Sequence, residues 1–387
     1  MRHKEAPSFF ILAGEPSGDI HGQRLIKALK QMYYAPTFKG VPGPEMRNAG
    51  IIELFPMEEL SVMGFQEIIA KIPVFLKKLL YLKNLIITEQ PDACILIDFP
   101  DFNLILARLL RRGGYQGKII QMIPPTVWAW RKGRIKTLER HFDLIFSIFP
   151  FEKEIYKDTK IPVVYIGNPI FEKVKNHTPN SRFREILNFR KDAKIISLFP
   201  GSRATEIRKN LPKQLQILHA LKKELRSFSF AVSLWNDDLA DIIQEISSTY
   251  GFKNRLMTVP ADKRYDLMRE STLALAKSGT VTLELALNRC PTIVTYEVSR
   301  FNFLIAKYLV RLNVPYFSIA NILLNDEVFP EHIVDGAPIQ AVADSIKVLL
   351  FDEQRRLDIL EKQNRIHHLL SDVDPDATIE NAMRGLL

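Results

Sequence analysis

The sequence predicts an α/β chain built from two doubly wound parallel sheets. Three observations carry this. Short apolar runs recur without in/out alternation, as in strands covered on both faces. Each run is followed by a Gly-containing or small polar turn and then by a segment of helical period. The rhythm breaks at the polar stretch Lys175 to Ser181, which contains Pro179, and then starts again.

In the first half, Phe9 to Ala13 reads as a buried strand, and a helix from about Ile20 to Met32 turns Leu25, Ala28, Leu29 and Met32 inward. Ala93 to Ile97, Ile119 to Ile123 and Leu144 to Ile148 are further strands, with a helix over Leu104 to Leu110. In the second half the strands are Ile195 to Phe199, Phe228 to Leu234, Leu273 to Ala276 and Thr292 to Val294. No sequence repeat links the halves. The expected domains are 1–170, 171–352 and a polar helical segment, 353–387, whose docking the sequence leaves open.

With 387 residues, 47% hydrophobic and 25% charged, the chain has the composition of a globular protein, which excludes disorder or low complexity as a reading of the whole. A formal charge of +9 fits an anionic partner: a nucleic acid, a phosphorylated substrate or an acidic membrane surface. Cys94 and Cys290 are far apart within apolar runs, which rules out a disulfide framework or a Cys-based zinc site and fits a reducing cytosol. The N-terminal apolar run is too short for a signal peptide. No stretch has 18 consecutive apolar residues, so a membrane span is not expected, whereas lying on a membrane is compatible. The eight histidines show no metal-ligand spacing.

Ligands of open α/β sheets bind at the carboxyl ends of the strands, and four loops there carry chemistry. Gly14-Glu15-Pro16-Ser17-Gly18-Asp19 is either an anion-holding helix start or a plain capped turn; it is neither a dinucleotide fingerprint nor a Walker loop. Asp98 and Asp101 stand three apart after a strand, where burial and a like-charged neighbour raise a carboxylate's pKa toward a general base. Asp101 fits a helix cap equally well, whereas Asp98 comes too early. Gly201-Ser202-Arg203 offers backbone N–H groups and a planar charged fork suited to a diphosphate, or else a surface arginine beside a capped helix. Ser278-Gly279-Thr280 opens a helix suited to phosphate oxygens, with Glu284 one turn in to accept ribose hydroxyls or to favour the helix dipole.

Two surfaces complete the reading. Phe65, Ile68, Ile69, Ile72, Phe75 and Leu76 recur at helical spacing among lysines including Lys77 and Lys78, as in an interfacial helix or a core-facing helix with a solvated lysine face. The segment Arg300 to Leu312 has the same character. Trp128 to Lys136 is aromatic and basic, fit for single-stranded nucleic acid or a phosphorylated head group.

Together these motifs resemble the lipid-A-disaccharide synthase family. The resemblance rests on AGEPSGDIHG (13–22), KGVPGPEMRNAG (39–50), MEELSVMGFQEI (57–68), IDFPDFN (97–103), PPTVWAWRKGR (124–134), FPFE (149–152), LFPGSR (198–203), KSGTVTLELAL (277–287) and PYFSIANIL (315–323). These run in order along nearly the whole chain.

The resemblance implies a GT-B fold with two Rossmann-like domains facing each other across a cleft. It implies an inverting transfer that joins UDP-2,3-diacylglucosamine to 2,3-diacylglucosamine 1-phosphate, giving the β-1,6-linked disaccharide 1-phosphate and UDP. Asp98 falls on the position of the general base. Glu15, Ser17 and Asp19 fall on the active-site loop; Arg203, Ser278, Gly279, Thr280, Glu284 and Asn321 fall on nucleotide-binding positions. No metal and no cofactor are expected, because a helix N-terminus and an arginine stabilise the departing diphosphate. The acylated substrates give the stretch from Phe65 to Lys78 a reason to face a membrane, which implies a cytoplasmic enzyme peripheral on the inner face of the membrane. Nucleic acid is not an expected partner, and a homo-oligomer is compatible. Asn168 stands where the family usually has His in a G-H-P segment, and Pro124 where Ser is common. A related UDP-sugar enzyme with a soluble acceptor and a basic nucleic-acid-binding protein are the competing readings.

Overall fold

The computed structural model describes residues 6–60, 65–127, 133–296, 315–333 and 338–387, apart from the side chains of 65–72 and 333. The chain forms two compact units: Met1–Gly167 with Asp372–Leu387, and Asn168–Ser371.

The first unit is a seven-stranded sheet of β1 (Ser8–Ala13), β2 (Thr37–Val41), β3 (Ile52–Glu53), β4 (Ala93–Ile97), β5 (Lys118–Met122), β6 (Leu144–Ser147) and β7 (Val163–Tyr165). Its order is β3-β2-β1-β4-β5-β6-β7, and every pairing is parallel. Every residue of β4 is buried, as an uninterrupted apolar run requires when helices cover both faces. The covering helices are α1 (Pro16–Met32), α2 (Pro44–Asn48), α3 (Phe65–Glu89), α4 (Pro100–Arg112), α5 (Arg134–His141) and α6 (Glu152–Ile155). β2 escapes sequence patterning because Lys39 and Gly40 interrupt its apolar residues. Gly40 is required there: a Cβ would stand 1.8 Å from the Ile11 carbonyl oxygen.

The second unit begins with α7 (Pro169–Lys175) and α8 (Phe183–Ile186). Its strands are β8 (Lys194–Phe199), β9 (Phe228–Ser233), β10 (Leu256–Val259), β11 (Ser271–Ala276), β12 (Thr292–Tyr296) and β13 (Glu331–Ile333). They form a parallel sheet in the order β10-β9-β8-β11-β12-β13, repeating the plan of the first. Its other helices are α9 (Ala204–Ala220), α10 (Ala240–Thr249), α11 (Arg264–Glu270), α12 (Thr280–Leu287), α13 (Ile319–Leu324), α14 (Ile339–Phe351) and α15 (Glu353–Ser371). A last helix, α16 (Pro375–Leu386), belongs to the first unit.

Three details differ from the sequence reading. Helix α1 starts at Pro16, not near Ile20, because proline at the first helical position lacks only an N–H that would find no partner there. The stretch read as a linker lies inside the second unit: His177 Nε2 and the Asn180 N–H meet Asp266 Oδ1 at 3.0 and 2.9 Å, supplying partners to a buried carboxylate. The C-terminal segment is divided. In α15, Gln363 donates to the Cys290 carbonyl (2.9 Å), while Ile379 and Met383 of α16 enter the core of the first unit. Asn168 caps α7, its Oδ1 accepting from the N–H groups of Ile170 (2.9 Å) and Phe171 (3.3 Å).

Candidate active site

In each unit the strand order reverses between two central neighbours: β1 and β4 in the first, β8 and β11 in the second. Loops leaving a sheet on either side of such a reversal splay apart and leave room for a ligand. Both residue sets singled out from the sequence leave these strands.

In the first unit, β1 and β4 end level, Ala13 beside Ile97. The next residue of the second strand, Asp98, has φ +38°, in the left-handed region that Asp and Asn tolerate better than other side chains. Asp98 is half-buried, and lost solvation raises its pKa above the ordinary carboxylate value. The Ser17 hydroxyl donates to Asp98 Oδ2 at 3.0 Å and draws the value part of the way back. Glu15 is the exposed N-cap residue of α1, without a side-chain cap bond. Asp19 is placed differently from its neighbours. It is 2% exposed and accepts from the N–H groups of Gly43 (2.9 Å), Glu45 (2.8 Å) and Met46 (3.0 Å), so it anchors the start of α2. Asp101 does not cap α4, whose N-cap is Phe99; it lies in the first turn and pairs with Arg134.

In the second unit, a cavity of about 120 Å³ opens at the carboxyl ends of β8, β9 and β11, lined by Ser202, Lys277, Ser278, Gly279, Thr280 and Glu284 among others. Gly279 sits at the N-cap of α12 with φ +150°, a conformation left almost entirely to glycine, which lets the helix begin at the cavity wall. The Ser278 hydroxyl donates to the Phe317 carbonyl at 2.9 Å, fixing the loop. Lys277 Nζ contacts Glu206 Oε1 at 2.7 Å, and the Ser202 N–H donates to Glu206 Oε2 at 3.0 Å. Burial alone would raise the Glu206 pKa, but these partners outweigh it and hold the carboxyl below its usual range. Glu284 is 6% exposed, ion-paired with Arg264, and accepts from the Tyr265 hydroxyl at 3.2 Å.

Two sequence candidates lie off this cavity's wall. Arg203 is the exposed N-cap residue of α9, next to the cavity-lining Ser202. Asn321 is fully buried, with its amide engaged: it donates to the Phe329 carbonyl (2.8 Å) and Glu331 (2.9 Å), and accepts from the N–H groups of Val328 (3.0 Å) and Phe329 (2.9 Å). It folds the turn ahead of β13. Sequence reasoning missed Arg264, Tyr265, Lys277, Glu206 and Trp235. Arg264 and Tyr265 carry no local signal, being ordinary residues of a polar helix. Trp235, an aromatic just past a strand's carboxyl end, was the findable one.

The interfacial face is mixed. Phe75 turns inward onto Phe99 and Phe102, with ring centroids 6.3 and 6.5 Å away, and so is not part of an outward face. Lys78 is tied to Glu59 at 2.5 Å and lies over the Phe55 ring. Leu76 and Lys77 are exposed, with Val74, Leu80 and Tyr81. The side chains of Phe65, Ile68, Ile69 and Ile72 lie outside the described residues, as do residues 128–132 and 297–314. Among the described residues, no helix is long and apolar enough to cross a membrane.

Two parallel α/β sheets, β3-β2-β1-β4-β5-β6-β7 and β10-β9-β8-β11-β12-β13, place the chain in the GT-B fold class. Solved structures of that fold are similar over nearly the full length of the chain. The UDP co-structure of S. aureus MnaA has a TM-score of 0.61 and 15% identity, covering 99% of this chain and 98% of that one. A glycosyltransferase from Rickettsia africae has a TM-score of 0.59 and 15% identity, covering 99% and 97%. At such identities the likeness concerns the fold alone.

The model of the lipid-A-disaccharide synthetase family matches residues 9–377, and the chain belongs to that family. The lipid-A-disaccharide synthase of Geobacter sulfurreducens is 35% identical over 356 residues, 91% of this chain and 90% of that protein. The one from Chlamydia pneumoniae is 38% identical over 326 residues, 84% of this chain and 53% of that protein. The chain thus spans about half the length of the chlamydial relatives it matches.

Proposed function

We propose that the chain is a glycosyltransferase that joins UDP-2,3-diacylglucosamine to 2,3-diacylglucosamine 1-phosphate with inversion. Asp98 takes the proton of the acceptor 6-hydroxyl as that oxygen bonds to the donor's anomeric carbon. The bond from that carbon to the UDP oxygen breaks, and UDP leaves. The observation that carries this reading is Asp98 itself: a half-buried carboxylate of raised pKa at a strand end, held by Ser17. A raised pKa makes a carboxylate a stronger proton acceptor than an ordinary aspartate.

The second unit is the nucleotide holder in this reading. Backbone N–H groups at the start of α12 and the Lys277 ammonium meet the diphosphate. Glu284, fixed by Arg264, accepts the ribose hydroxyls. Arg203, exposed at the start of α9, supplies a further fork to the leaving group, while Ser278 and Asn321 fix the loops around it. The exposed Val74, Leu76, Leu80 and Tyr81, with Lys77, suit contact with the membrane that carries both acylated sugars.

The test is UDP release with the two acylated sugars supplied together and singly. Release that requires both, with a disaccharide 1-phosphate formed, supports the proposal. Epimerisation of the donor alone, or transfer to a soluble acceptor, overturns it.

A further inference from the structure

Trp235 stands two residues past the end of β9, after Leu234, and lines the cavity of the second unit, yet it is 53% exposed. It does not hang loose. The Arg264 guanidinium lies 4.7 Å from the indole centroid and 5.3 Å from that of Tyr265. Arg264 is fixed in turn by its ion pair with Glu284. A planar guanidinium close to both aromatic rings, and anchored by a buried carboxylate, sets the attitude of the indole.

The order of groups matches the order of parts in a nucleoside diphosphate. The N–H groups of α12 begin at Thr280, and Glu284 follows four residues on, about 6 Å along a helix. Arg264 touches Glu284, and Trp235 lies against Arg264. Diphosphate, ribose and base would fall in that sequence, with Leu234 and Met268 giving the base end an apolar wall. We propose that Trp235 is the platform on which the pyrimidine ring of the nucleotide stacks, and that Arg264 is the positioning residue tying this platform to Glu284. This rests on the reading of the second unit as the UDP holder.

The experiment is calorimetry of the full chain with UDP and with inorganic pyrophosphate. Trp235→Ala weakens UDP about ten- to a hundredfold and leaves pyrophosphate unchanged, since one base stack is lost. Trp235→Phe restores most of the affinity. Arg264→Lys, which keeps the charge but not the planar face, weakens UDP and spares pyrophosphate. In a Trp128→Phe/Trp130→Phe background Trp235 is the sole tryptophan of the three, and UDP, but not pyrophosphate, quenches its fluorescence. Undiminished UDP affinity in Trp235→Ala, or equal losses for both ligands, overturns the platform. Undiminished affinity in Arg264→Lys removes the positioning role. If the unsubstituted chain binds no UDP, the nucleotide reading itself fails.

Discussion

The Ser17 hydroxyl reaches Asp98 Oδ2 at 3.0 Å across 81 positions of sequence. The contact exists because β1 and β4 are neighbours that end level, so the residues leaving them meet. It places a donor on the carboxylate that the proposed function assigns as the base. Every prediction below about catalysis starts from that pair.

Asp98→Asn should abolish disaccharide formation, a loss of about a hundredfold or more for a missing general base. The fold should survive, because Asn tolerates φ +38° as well as Asp does. The raised pKa means that the fold favours the neutral form, so ionisation at pH 7 costs stability that Asn does not lose. The melting temperature should be equal or higher, and UDP binding intact. Normal turnover in the folded variant removes Asp98 as the base.

Transfer should fall as pH drops through the Asp98 pKa, which lies above the usual carboxylate range, since only the ionised form accepts a proton. Ser17→Ala removes a bond that favours the ionised form, so the acid limb of the kcat profile should move to higher pH. A limb that stays in place or moves down contradicts the geometry.

Gly279→Ala forces an L side chain into φ +150°, at a cost of about 1–3 kcal/mol although the space around it is open. The start of α12 should shift, so UDP and pyrophosphate should both bind more weakly. Calorimetry with the two ligands reads this, and unchanged affinity for both speaks against the helix start as the diphosphate seat.

Asn321→Ala takes the side-chain acceptor from the buried Phe329 N–H and one of two acceptors from the Val328 N–H, which also donates to the Asp326 carbonyl. A loss of about 2 kcal/mol is expected from the one unsatisfied buried donor, read as a lower melting temperature or denaturant midpoint. A variant as stable as the parent that binds UDP poorly would instead make Asn321 a direct ligand contact.

Leu76→Glu with Leu80→Glu puts charge on an exposed apolar face, so stability should change little. Binding to anionic phospholipid vesicles should weaken severalfold, by co-sedimentation. Equal binding would move the membrane contact elsewhere.

Much of this was legible beforehand for a simple reason. Central strands covered on both faces read as apolar runs, so Ala93 to Ile97 and Ile195 to Phe199 announce themselves, and with them the loops at their ends. Edge strands such as β3 and β13 were invisible because they are short and half-polar. Asp19 and Asn321 stood within recognisable motifs, yet their side chains turn away to bind backbone. A motif records that a residue type is needed, and says nothing of whether it faces a ligand or the chain.

By itself, the sequence determined the α/β class and the positions of the polar loops, which follow from local patterns of hydrophobicity and small residues, and its motifs carried the resemblance to the family. Only the tertiary structure decided what those loops hold. The pairing of Ser17 with Asp98, the clamp of Arg264 on Glu284 beneath Trp235, and the division of the last two helices between units all join residues distant in sequence. Such contacts depend on strand order and register, which bring loop ends together in space and leave no trace in any single stretch of chain.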